Sequence, residues 1–344
     1  MDCESPQIAM RLVTFLFVVL VVLPSQAQTT ISPIGFDLSP YAAPARLVDI
    51  GGRRLNLLCQ GEGSPTVIFE AQLGEASWDW APVHATVAEH TRSCIYDRAG
   101  IGFSDPSGRP GTAINAVEDL RTLLDRAQEP PPYLLVGASY GALIARYFAA
   151  KMTQDVSALV LVDGHHEEEF ERINVLSKGK YAEMMESVGR QYKYCAAAAH
   201  KHIAPASSEF RACVVPAPSF ANRKLAAAHL AQQLSQDYWD STLSEWDNLD
   251  RTSAFQVRAL NDKLRNTPIV ALIRSISPFS PPGRPTSYLS AAVEQENKQM
   301  QQETAKLSSS GRTLVIPRAS HSIHLDNSAA VAEVVVNEVA RVRR

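Results

Sequence analysis

The feature that most restricts the fold of this chain is a series of short, unbroken apolar runs set between helical stretches. Pro65–Glu70 (PTVIFE), Ser93–Tyr96 (SCIY), Tyr133–Val136 (YLLV), Ala158–Val162 (ALVLV), Thr267–Ile273 (TPIVALI) and Thr313–Ile316 (TLVI) are too short for helices and lack polar alternation. Runs of that kind are strands buried on both faces, as in parallel sheets. Between them lie segments with helical spacing. Thr112–Gln128 places Ile114, Val117, Leu120, Leu123 and Leu124 on one face, and Ala142–Met152 and Ala329–Val342 follow the same period. Arg46–Ile50 and Arg54–Cys59, joined by Gly51-Gly52, read as a hairpin. The class is therefore α/β, a mostly parallel sheet with helices on both faces.

The alternation stops after Asp163. From about residue 165 to 265 the sequence is rich in Ala, Gln and Glu, with helical patterns such as Arg223–Tyr238 and no clear strand. This predicts a helical cap inserted after strand six, over the carboxyl ends of the strands where open sheets bind ligands. Phe170, Tyr192, Tyr194, Tyr238, Trp239 and Trp246 would pack it or wall a pocket, and Trp78 and Trp80 read as packing residues. Residues 45–344 form one predicted domain, and the Ser/Thr/Pro-rich stretch 28–44 reads as a flexible arm.

Met10-Arg11 precedes an apolar run from Leu12 to Leu23, followed by Pro24-Ser25-Gln26-Ala27. A charged start, a short apolar core and a small-x-small site predict a signal peptide, residues 1–27. The run is shorter than the roughly 20 residues a membrane span needs, so no stable membrane insertion is expected after cleavage. A secreted or periplasmic protein follows. Of five cysteines, cleavage would leave Cys59, Cys94, Cys195 and Cys213, an even set that an oxidising compartment would pair in one of three ways. The net charge of −3 gives no electrostatic footprint for nucleic acid.

Gly137-Ala138-Ser139-Tyr140-Gly141 matches G-x-S-x-G, with a strand entering and a helix leaving. That context makes Ser139 a candidate nucleophile at a sharp turn, with free helix N–H groups behind it. Among nine histidines, His321 stands after the last strand and before the final helix, at the same end of the sheet. His324, three residues on, is its competitor as base. His165 and His166 read as cap residues, and His200 and His202 as surface positions. No dinucleotide fingerprint and no cluster with metal spacing is present, so no cofactor and no metal is implied.

These motifs resemble the α/β-hydrolase superfamily over about 45–344. Glu70-Ala71-Gln72-Leu73-Gly74 stands where many members have His-Gly-x-x-Gly, and Asp97-Arg98-Ala99-Gly100-Ile101-Gly102-Phe103-Ser104 resembles the D-R-x-G-x-G-x-S segment. The resemblance implies an oxyanion hole made by the backbone N–H of Gln72, or of Leu73 one step on, and that of Tyr140. It places strand four beside strand two, so that Cys59 and Cys94 could cross-link. Cys195 and Cys213 would then close a loop within the insertion. Most members carry their catalytic acid after strand seven, but Arg274–Val293 contains no Asp or Glu, and Glu294 and Glu296 read as the start of an exposed helix. Asp163, at the end of strand six, is the candidate instead, as in a minority that includes pancreatic-type lipases. The implied activity is a serine hydrolase of small carboxylic esters with catalytic Ser139, His321 and Asp163. Lactone, amide, peptide or C–C bond cleavage would use the same residues. A non-catalytic binding protein on this scaffold is the other alternative.

Overall fold

The computed structural model describes residues 36–280 and 287–344. The apolar runs form β1 (Arg46–Asp49), β2 (Arg54–Gln60), β3 (Thr66–Glu70), β4 (Ser93–Tyr96), β5 (Tyr133–Ala138), β6 (Val156–Val162), β7 (Ile269–Ile273) and β8 (Arg312–Val315). They make one eight-stranded sheet in the order β1-β2-β4-β3-β5-β6-β7-β8. The pairs β1/β2 and β2/β4 are antiparallel and the rest are parallel.

Between the strands run α1 (Ala81–Ala88), α2 (Ala113–Ala127) and α3 (Tyr140–Lys151). The segment between β6 and β7 holds α4 (Glu169–Leu176), α5 (Lys180–Ala199), α6 (Ser208–Cys213), α7 (Arg223–Gln233), α8 (Gln236–Asn248) and α9 (Ala254–Arg258), with no strand. Then come α10 (Tyr288–Lys306), α11 (Ile323–Asp326) and α12 (Ser328–Val342).

Alternate strand residues feed two cores. Ile68, Leu135, Leu159 and Leu161 join the layer of α2 and α3, including Val117, Leu120, Leu143 and Phe148. Val67, Phe69, Leu134, Val136, Val160 and Val162 join the layer of α1 and α12, including Val83, Val331 and Val335. Both faces of the central strands are thus apolar, which is why their sequences do not alternate.

Two expectations need correction. Arg223–Tyr238 is not one helix. It breaks at Leu234-Ser235, where the Trp239 indole N–H donates to the Gln233 carbonyl at 2.8 Å and so satisfies the end of α7. Nor is the described part of the 28–44 stretch a loose arm. Tyr41 is buried, its hydroxyl bonds His84 Nδ1 at 2.8 Å, and Phe36, Leu38 and Ala42 pack on the same core. Its apolar side chains outweigh the Ser/Pro composition. The segment read as a signal peptide lies outside the described residues. No helix among the described residues is long and apolar enough to cross a membrane.

Cys59 and Cys94 face each other in the β2–β4 register and are disulfide-bonded. Cys195 and Cys213 are bonded across a separation of 18 residues, joining α5 to α6. A loop of that size contributes about 3 kcal/mol in the chain-entropy account. The Cys195→Ala/Cys213→Ala protein should lose about that much stability in urea unfolding, and non-reducing peptide mapping of the parent should recover both links.

Candidate active site

Ser139 links β5 to α3 at φ +48°, a left-handed conformation that costs a non-glycine residue energy. Two glycines make room for that turn. A Cβ at Gly137 would lie 2.4 Å from the Gly141 carbonyl oxygen, and one at Gly141 would lie 2.5 Å from that of Glu70. The helix start therefore sits hard against the end of β3. Ser139 is partly exposed, with the first turn of α3 behind it.

His321 follows β8, and its Nε2 lies 3.0 Å from Ser139 Oγ. Its Nδ1 lies 2.6 Å from Asp163 Oδ2. Asp163 is the first residue after β6 and also has positive φ, +41°. The sheet fixes both neighbours: Ser139 N–H donates to the Val162 carbonyl at 3.2 Å, and Asp163 N–H to that of Leu272 at 3.0 Å. Asp163 is 1% exposed and also accepts from Arg274 Nη1 at 2.6 Å and Asn297 Nδ2 at 3.2 Å. Burial alone would raise its carboxyl, but the Arg274 guanidinium and the His321 hydrogen bond outweigh burial and hold it below the usual carboxylate range.

The structure thus brings Ser139, His321 and Asp163 into one hydrogen-bonded line. It does not bring His324 or Glu294 there. His324 is buried against Trp80, with ring centroids 4.4 Å apart, and its Nε2 lies 3.1 Å from Glu75 Oε2. Glu294 pairs with Arg274. His165 and His166, at the start of the insertion, are buried, and His165 N–H donates to the Ser139 carbonyl at 3.1 Å. Burial opposes a charge on His165, but Glu169 and Asp250 raise it to about 9. His200 and His202 are exposed.

The segment after β3 carries Gln72 beside the site. Its side-chain Nε2 donates to Ser322 Oγ at 3.1 Å, next to His321. Its backbone N–H makes a long contact of 3.4 Å to Glu75 Oε2. Tyr140 N–H stands in the first turn of α3. Glu70, where the related motif has histidine, is fully buried; burial pushes it up to about 7 although Arg98 and the Tyr96 hydroxyl pull the other way.

Arg98 is the support that sequence reading missed. Its guanidinium donates to the Ala71 and Gln72 carbonyls at 2.8 and 2.6 Å and pairs with Glu245 of α8 at 2.6 and 3.0 Å. Glu245 Oε2 also accepts from Gly74 N–H at 3.0 Å. The inserted helices are thereby pinned to the loops after β3 and β4. The sequence signal was the Asp-Arg of the 97–104 motif; nothing near Glu245 marked it as its partner. A cavity of about 580 Å³ between 106–116 and α8 reaches Tyr140 and Arg98, but neither Ser139 nor His321 lines it. Among the described residues, one set of metal-donor atoms lies within reach of one another, Cys59, Cys94 and Glu129, and its two sulfurs are bonded to each other.

The model of the alpha/beta hydrolase fold family matches residues 65–328. The chain belongs to the α/β-hydrolase fold family. Among curated relatives, uncharacterized protein YqjL of Bacillus subtilis is 40% identical over 104 residues, 30% of this chain and 41% of that protein. The chain spans less than half the length of the first curated relatives it matches. Among solved structures, a thermophilic esterase from Thermogutta terrifontis has a TM-score of 0.55 at 18% identity, covering 85% of this chain and 95% of the other. A haloalkane dehalogenase, the DbeA-M1 loop variant from Bradyrhizobium elkanii, has a TM-score of 0.59 at 17% identity, covering 87% and 96%. At such identities these hydrolases share the fold, and the reaction must be argued from the site.

Two stability experiments follow from the buried charges. Removing one partner of a buried ion pair strands the other, so Glu245→Ala should cost about 3–5 kcal/mol in urea unfolding. Glu118→Ala, which breaks an exposed pair with Arg109, should cost no more than about 1 kcal/mol. His165 has a folded value above its ordinary 6.5, so its contribution is complete below that pH and is lost as pH rises through about 9. The stability deficit of His165→Asn, followed by thermal melting, should therefore shrink from neutral pH to above 9.

Proposed function

We propose that the chain is a serine hydrolase that cleaves small carboxylic esters through an acyl-enzyme. The observation that carries this reading is the unbroken relay from Ser139 Oγ through His321 to Asp163, at 3.0 and 2.6 Å. As Ser139 Oγ attacks the ester carbonyl, its proton passes to His321 Nε2, and Asp163 holds Nδ1–H and balances the imidazolium. The carbonyl oxygen, now negative, is received by the N–H of Tyr140 and that of Gln72, the latter leaving its long contact with Glu75. The tetrahedral adduct then collapses, and the leaving alkoxide takes the proton from His321. Water repeats the cycle on the acyl-enzyme, giving its proton to His321 and freeing the acid and Ser139.

A serine at the elbow supports this reading over dehalogenation, since resemblance assigns an aspartate to that position in haloalkane dehalogenases. The helices after β6 act as a cap in this reading. Residues 1–27 act as an export signal for a secreted or periplasmic enzyme, a reading that the two disulfides support.

A fluorophosphonate probe should label Ser139 of the folded protein, and p-nitrophenyl esters of graded chain length should report the acyl preference. Ser139→Ala should abolish labelling and lower kcat by about 10⁶-fold with folding intact. Asp163→Asn should lower kcat by about 10⁴-fold. Ester turnover by Ser139→Ala within tenfold of the parent would sink the proposal. A loss below tenfold in Asp163→Asn, with Glu294→Gln severe, would move the acid to α10.

A further inference from the structure

Arg274 is the first residue after β7; because β6 and β7 run parallel with Val162 opposite Leu272, it stands one residue beyond the level of Asp163. Its side chain is 8% exposed. Nη1 donates to Asp163 Oδ2 at 2.6 Å, while Nε and Nη2 grip Glu294 Oε2 and Oε1 at 2.9 and 3.1 Å. The oxygen that Arg274 holds is the same Oδ2 that receives His321 Nδ1 at 2.6 Å. A permanent cation and the candidate base therefore share one carboxylate oxygen.

That sharing has two physical effects. Arg274, with Asn297 on Oδ1, leaves the carboxylate a single orientation, aimed at Nδ1. It also draws on the negative charge that an imidazolium would otherwise have to itself. The low carboxyl of Asp163 agrees with this, because the guanidinium is the chief influence acting against burial there.

Other charges around the cluster are accounted for. Glu294 and Asn297 come from α10, and Tyr181 of α5 lies within reach of the Arg274 charge. His165, after β6, turns to Glu169 and Asp250. After β8, His324 of α11 turns to Glu75, and Asp326 at the end of that helix accepts from Ser320. Among the described side chains bonded to Asp163, Arg274 and His321 are the charged or titratable ones.

We propose that Arg274 is a positioning residue that acts through Asp163: it fixes the carboxylate and weakens its hold on a protonated His321. Glu294 sets how much of the Arg274 charge reaches Asp163. The inference rests on the hydrolase reading above, with His321 as base.

The test is the rate of Ser139 labelling by a fluorophosphonate as a function of pH, which needs no knowledge of the natural substrate. In Arg274→Gln, which keeps a donor and removes the charge, the acid limb should move up by about one pH unit. Arg274→Lys keeps the charge and should restore the parent limb. Glu294→Gln releases more of the guanidinium to Asp163 and should move the limb down. Circular dichroism and melting curves check the fold of each variant. An acid limb in Arg274→Gln that matches the parent, with only the plateau rate reduced, would make Arg274 a structural strut and overturn the proposal. If Arg274→Gln does not fold, an unmoved limb in Glu294→Gln overturns it equally. Failure of the parent protein to label at any pH would instead reject the hydrolase reading beneath it.

Discussion

The site depends on one steric constraint, the contact between the start of α3 and the end of β3. With glycine at 141 the two elements close to a distance that no Cβ there would allow, and glycine at 137 leaves the same room between β5 and the first turn of α3. The chain can make that approach only by turning sharply at Ser139, which takes the strain of a positive φ. In return the hydroxyl stands clear of the sheet, the first turn of α3 lies behind it, and the β3 loop with Gln72 is drawn alongside. The apolar layers on both sides of the sheet supply the rigidity that keeps this strain in place.

A second level of order is electrostatic. Arg98 fastens the Ala71 and Gln72 carbonyls, so the amides of that loop are aimed by a buried cation rather than by the strand alone. Glu245 completes the cation's coordination from the inserted helices. The insertion is therefore not a separate body resting on the sheet. Its charge is part of what holds the loop, so a change of register in α8 would be felt at Gln72.

Much of this was legible in the residues. The strands stood out because both their faces are apolar, Ser139 through its G-x-S-x-G motif and His321 because it follows the last strand at the same end of the sheet, while Asp163 came from the resemblance once the segment after strand seven proved to hold no acid. The pairing of Cys59 with Cys94 followed once the strand order was supplied by resemblance. What could not be read were contacts between segments far apart in sequence: Arg98 with Glu245, Glu75 with His324, and Arg274 with both Asp163 and Glu294. Charged residues carry no periodic signal, and their partners are chosen by the packing of the insertion. Tyr41 was missed for a related reason. Two aromatics, Phe36 and Tyr41, in a Ser/Pro-rich stretch give no pattern, although the buried Tyr41 ring is enough to seat it.

The shared oxygen of Asp163 also bears on how such a site can change by single substitutions. In this chain the segment after strand seven opens with a guanidinium and holds no acid up to Glu294, whereas the resemblance implies an acid after that strand in most members. Arg274→Asp with Asp163 retained would set two carboxylates side by side in a buried place, and like charges there resist joint ionisation. Asp163→Asn with Arg274 retained would leave His321 without its anion. Each one-step route between the two arrangements thus passes through a damaged intermediate, and only a coupled exchange keeps the charge balanced. The charges at positions 163 and 274 of this chain have to be read together.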